Sequence, residues 1–207
     1  MNLLPGQIYH VFNRGNNKQQ IFYEEDNYIY FLEKMRKYLA PYCEVLVYSL
    51  MPNHFHLMIC ANEITNLPYR RTNRLPHRKR KPHLKMSLFS WGLQQLLSSY
   101  SKGINKKYNR TGSLFQQNTK CKRTSSDSFL EDYSLWCFIY IHSNPKNAGL
   151  VKSPEDYKFS SYNEFLGKSP RPICNIDLAR ELLSLDLNDL FNIKEMDIPF
   201  NLKKRFF

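Results

Sequence analysis

The stretch Ser49-Leu50-Met51-Pro52-Asn53-His54-Phe55-His56-Leu57-Met58-Ile59 consists of two apolar, β-forming runs broken by Met51-Pro52-Asn53. A break of that length is a tight turn, so Cys43 to Leu50 and His54 to Cys60 read as two strands of an antiparallel hairpin. Alternate side chains of a strand share a face. His54 and His56 therefore point the same way, while Phe55 points into the core. Two convergent imidazoles on a rigid strand are half of a metal site.

Upstream, Gln7 to Arg14 is a strand, turned by Gly15-Asn16-Asn17. His10 lies inside it and reads as a packed or hydrogen-bonded residue rather than a ligand. Between Asp26 and Leu39, Tyr28, Phe31, Leu32, Met35 and Leu39 recur at spacings of three and four, which is one buried helix face closed by Pro41. Downstream, Asn62 to Leu84 has no period and contains Pro68, Pro76 and Pro82, so it is an extended loop. A long helix follows, from Met86 to Tyr108, with Leu88, Trp91, Leu96 and Ile104 among its buried positions. Ser113 to Arg123 reads as a fourth strand anchored by Leu114 and Phe115. Ser126 or Asp127 can cap the next helix, and Pro145 ends it at Asn144. Ser161 and Glu164 have capping-box spacing and open a short helix. After Gly167 come prolines, then an amphipathic stretch from Ile176 to Phe191. The order β-α-β-β-α-β-α predicts an α+β fold: an antiparallel sheet with helices packed on it, an RNA-recognition or ferredoxin-like sandwich with a C-terminal helical appendage. Residues 1–167 are the expected catalytic domain, with 62–84 as an inserted basic loop, and 168–207 the extension.

The 207 residues carry a formal charge of +12, and it is unevenly spread. Between Glu63 and Asp127 there is no acidic residue, yet that stretch holds 15 of the 30 lysines and arginines. The remainder is net negative. A one-sign segment of this size attracts a polyanion, and nucleic acid is the polyanion it fits best. The five cysteines, at 43, 60, 121, 137 and 174, form no C-x-x-C pair and read as reduced core thiols. The N-terminus lacks the basic start and apolar run of a signal peptide, and no apolar stretch approaches the roughly 20 residues that span a bilayer. A soluble cytoplasmic protein without a membrane partner is the expectation.

In Phe138-Ile139-Tyr140-Ile141-His142-Ser143-Asn144-Pro145, Tyr140 and Asn144 are one helical turn apart on one face. Taken alone, Tyr140 as a core aromatic and Asn144 as a helix-end residue fit better than a functional pair.

Several segments together resemble a family. They are His10-Val11 with Arg14-Gly15-Asn16-Asn17; Leu50-Met51-Pro52-Asn53-His54-Phe55-His56-Leu57; Gly112 with Leu114-Phe115-Gln116; Tyr140-Ile141-His142 with Asn144-Pro145 and Ala148-Gly149-Leu150-Val151; and Pro154-Glu155-Asp156-Tyr157 with Ser160-Ser161-Tyr162. In this order, over residues 7 to 166, they resemble the single-tyrosine HUH transposases, specifically the REP-associated tyrosine transposases of bacteria. The resemblance implies a nuclease and ligase of DNA strands, nucleoid-associated in the bacterial cytoplasm. In it His54 and His56 are the metal-binding pair, Tyr140 is the nucleophile, and Asn144 is the polar third ligand. The loop 62–84 is longer and more basic than is usual in the family, and the segment after Gly167 matches no motif of it.

The residue types suit that chemistry. A phosphodiester anion repels nucleophiles, and a divalent ion neutralises and orients it. Two imidazoles and an amide oxygen leave coordination positions open for Mg²⁺ or Mn²⁺. Each imidazole needs a hydrogen-bond partner on its other nitrogen. A free phenol, with a pKa of about 10, is ionised only about one part in a thousand at neutral pH, so Tyr140 needs activation. His142, two residues along the helix, points to another face and is not assigned as the base. Attack by Tyr140 leaves a 5′-phosphotyrosine and a free 3′-hydroxyl, and reversal joins strands without ATP.

The expected substrate is single-stranded or hairpin DNA. Expected backbone contacts are Arg14, Arg70, Arg71, Arg74, Arg78, Lys79, Arg80 and Lys81, with Lys106, Lys107 and Arg110 on and after the long helix. Tyr69 and His77 are candidates for base stacking. Metal pair and tyrosine can meet within one chain or between subunits, so both a monomer and a homodimer stay open. The rival readings are a non-catalytic RNA-recognition-like binding module, a replication initiator or relaxase of the same chemistry, and a domesticated host nuclease.

Overall fold

The computed structural model describes residues 1–69, 86–126 and 133–185. Its frame is a four-stranded antiparallel sheet in the order β2-β3-β1-β4, with helices on both faces. The strands are β1 (Ile8–Arg14), β2 (Glu44–Met51), β3 (His54–Cys60) and β4 (Lys120–Arg123). The helices are α1 (Glu25–Tyr38), α2 (Leu88–Lys107), α3 (Ser134–Asn147), the single turn α4 (Tyr162–Phe165) and α5 (Ile176–Leu183). The expected α+β class is the observed one. No described helix is long and apolar enough to cross a membrane.

β2 and β3 form the expected hairpin, closed by Pro52-Asn53, with Met51 opposite His54. β3 then pairs with β1 so that Arg14 faces His54 and Phe12 faces His56. Pairing partners across a sheet share a face. One face therefore carries Phe55 and Val11, and α1 and α2 cover it. Phe31, Met35 and Leu39 of α1 and Leu96 and Tyr100 of α2 are fully buried there. Phe55 meets Phe31 at 5.3 Å and Phe115 at 5.9 Å between ring centroids. The other face carries His10, Phe12, Arg14, His54 and His56, and α3 packs over its β2–β3 half.

Four sequence expectations change. Pro145 does not end α3. It lies in the last turn, and the helix runs on past it to Asn147. Gly149 (φ +71°) stops it: its N–H bonds Lys146 O and the Leu150 N–H bonds Pro145 O, the paired pattern of a glycine-terminated helix. The fourth strand is only Lys120–Arg123. Residues 113–119 turn instead across the end of β1, where Gly15 bridges Phe115, although Leu114 and Phe115 are buried as expected. The Ser161–Glu164 capping box does not form. Ser161 Oγ accepts from Tyr48 N, and Glu164 accepts from the Tyr48 hydroxyl and from the N–H groups of Ile173 and Cys174. Tertiary partners outbid the local cap. The last described helix ends at Leu183, with Ser184 in the left-handed region (φ 50°), and positions 186–191 of the expected stretch lie outside the described residues. α3 begins at Ser134 with Tyr133 at its N-cap position, so Ser126 does not cap it, and Asp127 lies outside the described residues.

Residues 173–183 are not set apart from the sheet. Asn175 N bonds Val45 O on β2, and Cys174, Ala179 and Leu183 belong to the same core as the strands.

Candidate metal and nucleophile centre

The register of β1 and β3 and the docking of α3 bring the candidate residues together within one chain. The His54 and His56 rings stand 5.0 Å apart, nearly perpendicular. The Tyr140 ring lies edge-on to His56, at 5.3 Å and 86°. Tyr140 is 5% exposed and Asn144 8%, so both sit on the sheet-facing side of α3, one turn apart. The Asn144 amide, one turn further along α3, is near enough to the phenol to pull its pKa down.

Both imidazoles are held by their Nδ1 atoms. His54 Nδ1 is 2.5 Å from Asn53 Oδ1, and His56 Nδ1 is 2.8 Å from His10 Nε2. An amide oxygen can only accept, so His54 carries its proton on Nδ1 and its lone pair on Nε2. His56 is matched if its Nδ1–H donates to His10, which again leaves an Nε2 lone pair. That is the tautomer a metal ligand needs, with the supporting bond on the far nitrogen. His10 is hydrogen-bonded, as expected, and its partner is the site itself. Burial first, and then neighbouring charge, keeps all three rings neutral. His54 is lowered to about 4, with Arg14 contributing; His10 to about 3, with Lys122 contributing; and His56 falls well below its usual value, with His10, His54 and Arg14 contributing.

Among the described residues no third histidine, cysteine or carboxylate completes a metal-binding cluster. The remaining candidate donor, expected from the sequence, is the Asn144 amide oxygen, on the same helix as Tyr140 and one turn from it. Two imidazoles plus one amide make a donor set that fits a divalent ion of the Mg²⁺ or Mn²⁺ type.

Burial raises the Tyr140 phenol well above its usual value, while the neighbouring Asn144 amide and the Arg14 charge pull it down. Arg14 itself is half-buried, and its Nε has no hydrogen-bond partner among the described residues. A cation thus stands beside two imidazoles and a phenol, where an anion would be drawn in. His142 faces elsewhere: its Nε2 bonds Ser161 Oγ at 2.8 Å, and its ring packs edge-on to Phe138 and Tyr162.

The fold matches one already solved. The chain is similar in architecture to a REP-associated tyrosine transposase. That structure, of the transposase bound to a REP hairpin, has a TM-score of 0.54 over 84% of this chain and 87% of that one, at 15% identity. At that identity the likeness is one of fold. No family model and no curated protein matches the chain.

The other expected DNA contacts fall into three groups. Arg70, Arg71, Arg74, Arg78, Lys79, Arg80 and Lys81, with His77, lie outside the described residues. Lys106 is exposed on the last turn of α2. Lys107 is already paired with Glu24, with Asp26 at 3.9 Å, and Arg110 donates to Gln19 Oε1. Those partners are remote in sequence, so the basic run concealed them. Tyr69 stacks on Trp91 at 4.6 Å. Two lysines went unnoticed in the sequence. Lys120 pairs with Phe12 and Lys122 with His10, so both share the imidazole face. The alternation in Lys120-Cys121-Lys122 was visible, but the partner strand was not. A separate groove of about 430 Å³ opens beside α2 and residues 113–119. Its lining is hydroxyl, amide and apolar, without histidine, carboxylate or basic side chains.

Proposed function

We propose that this protein is a metal-dependent DNA transposase or endonuclease that cleaves and rejoins single-stranded or hairpin DNA through Tyr140. One observation carries the reading: a single chain sets the Tyr140 ring against His56, whose Nδ1 is already occupied by His10. Nothing in core packing requires a tyrosine, two imidazoles, a half-buried arginine and an amide to converge.

His54, His56 and Asn144 would hold the ion. When bound, it supplies positive charge that offsets the phosphodiester and favours the phenolate. Arg14 would draw the phosphate to the site. The Tyr140 oxygen attacks phosphorus, the bond to the 3′ oxygen breaks, and that oxygen leaves with the electron pair and takes up a proton. The product is a 5′-phosphotyrosine with a free 3′-hydroxyl. It is a phosphodiester like its parent, so the reverse attack joins a strand without a nucleotide cofactor. Since both halves of the centre come from one chain, a monomer suffices. Such chemistry would act on DNA in a bacterial cytoplasm, and His54, His56, Asn144, Arg14 and Tyr140 all lie within residues 1–167.

The test is incubation with labelled hairpin DNA and Mn²⁺, followed by a denaturing gel. The expected result is a protein–DNA adduct that disappears with EDTA or in Tyr140→Phe, while DNA binding persists. Binding without any adduct, in the presence of metal, is the behaviour of a non-catalytic module and would overturn the proposal.

A further inference from the structure

We infer that Phe12, Lys120 and Lys122 form a nucleotide subsite beside the Tyr140 centre, with the ring taking the face of an unpaired base and the two ammonium groups its flanking phosphates. The inference rests on the proposed DNA-strand chemistry and deepens it.

The argument begins with register. Phe12 is opposite His56 on one side and Lys120 on the other, and His10 is opposite Lys122. Rows across the sheet therefore run His56–Phe12–Lys120 and Met58–His10–Lys122, all on the imidazole face. Lys120 is two strands from His56, or about 10 Å. That is within reach of a nucleotide neighbouring one held at the centre. α3 covers the β2–β3 half of this face, and along β1 only Phe12 and Arg14 are partly open while every other residue is buried. An aromatic ring left partly open between cations is the composition of a single-strand platform, where rings take base faces and lysines follow the backbone.

The charges support this placement. Lys122 Nζ sits over the Phe12 ring at 5.6 Å from its centroid, on a stem long enough to swing toward a phosphate as a base arrives. Burial and the Lys120 charge together lower the Lys122 pKa, so the pair gains from an anion between them. The structural alternative is that these lysines only guard the edge strand β4 against pairing with another sheet.

The probe is a fluorescein-labelled DNA hairpin carrying an unpaired thymidine flank, compared with the same hairpin lacking the flank. Tyr140→Phe protein serves as the parent, so binding is read without cleavage. Phe12→Leu is expected to weaken binding of the flanked hairpin about tenfold and leave the blunt one unchanged. Phe12→Trp restores it. Lys120→Gln with Lys122→Gln is expected to lower the slope of log affinity against log salt by about 1.4, or about 0.7 per phosphate contact. Thermal unfolding is measured for each variant, and the lysine pair tests the inference even if Phe12→Leu unfolds. A flank that adds nothing to the parent's affinity, or variants that fold normally with unchanged affinity and slope, overturns the subsite and leaves the lysines as edge guards. The adduct assay separates the two claims. An adduct with unaffected variants sinks the subsite alone. Flank binding that needs Phe12, without any adduct, sinks the strand-breaking chemistry alone.

Discussion

The two faces of the sheet are built from alternate residues of the same strands and do opposite things. On the α1–α2 face, Phe55 meets Phe31 and Phe115, and Tyr100 closes the cluster at 5.1 Å from Phe31, all of it buried. On the α3 face, the neighbours of Phe55 in the chain are imidazoles whose Nδ1 atoms are bonded to Asn53 and His10. One face stabilises by hydrocarbon burial, while the other keeps polar groups half-satisfied near a cation. Because the period is two, a slip of one residue in the β1–β3 register would exchange the faces and lose both. The hydrocarbon face thus holds the reactive one in register.

Substitutions on either side should separate these roles. The largest effect belongs to Tyr140→Phe. Adduct formation should fall by more than about a thousandfold, whereas urea unfolding should shift by less than about 1.5 kcal/mol, the cost of one hydroxyl. Comparable losses in both would make Tyr140 a core residue. Phe55→Ala should do the reverse, lowering unfolding free energy by about 3–5 kcal/mol through the cavity it leaves. The fraction that stays folded at low temperature should still bind Mn²⁺, and its failure to do so would break the division between faces.

A smaller effect is expected for His10→Gln, which alters the bond that orients His56. Mn²⁺ affinity, followed by titration calorimetry, should weaken about 10- to 100-fold, and excess Mn²⁺ should rescue adduct formation. Unchanged affinity would mean that the His10–His56 bond is only packing. The smallest effect is on pH dependence. His10, His54 and His142 are lowered by burial to about 3, about 4 and about 3. Their unfolded counterparts take up protons near pH 6.5, while the folded forms do not. Stability is therefore full above about pH 6.5 and declines as the pH falls, by up to about 1.4 kcal/mol per unit for each histidine. Urea midpoints between pH 7 and 5 should show this in metal-free protein, and a flat profile would contradict it. His142→Gln should shallow the decline without touching adduct formation, since that ring faces Ser161 and Phe138 rather than the centre.

What the sequence revealed follows from how local each signal is. The hairpin around Pro52-Asn53, the bounds of β3 and the inward turn of Phe55 depend on period-two alternation and one turn, and they stand as expected. α1 and α2 are within a residue or two of their periodicity. The pairing of Tyr140 with Asn144 needed only a helix. Where the signal was tertiary, it was hidden. Gly149 overrides Pro145 because a left-handed residue and two hydrogen bonds terminate a helix more firmly than a missing N–H near its end. Ser161 and Glu164 serve β2 and the segment before α5 instead of their own helix, because the buried Tyr48 N–H and hydroxyl and the 173–174 backbone take those side chains as partners. The partners of the imidazoles required the β1–β3 register, and so did the placement of Lys120 and Lys122 on their face.

The most direct measurement of the central claim is mass spectrometric mapping of the trapped protein–DNA adduct. The chain has 14 tyrosines, so the position is informative. After nuclease trimming and proteolysis, the nucleotide remnant should sit on Tyr140 alone, joined through its 5′ phosphate, and only when Mn²⁺ or Mg²⁺ was present. A remnant on any other residue, or one formed equally in EDTA, would contradict the account.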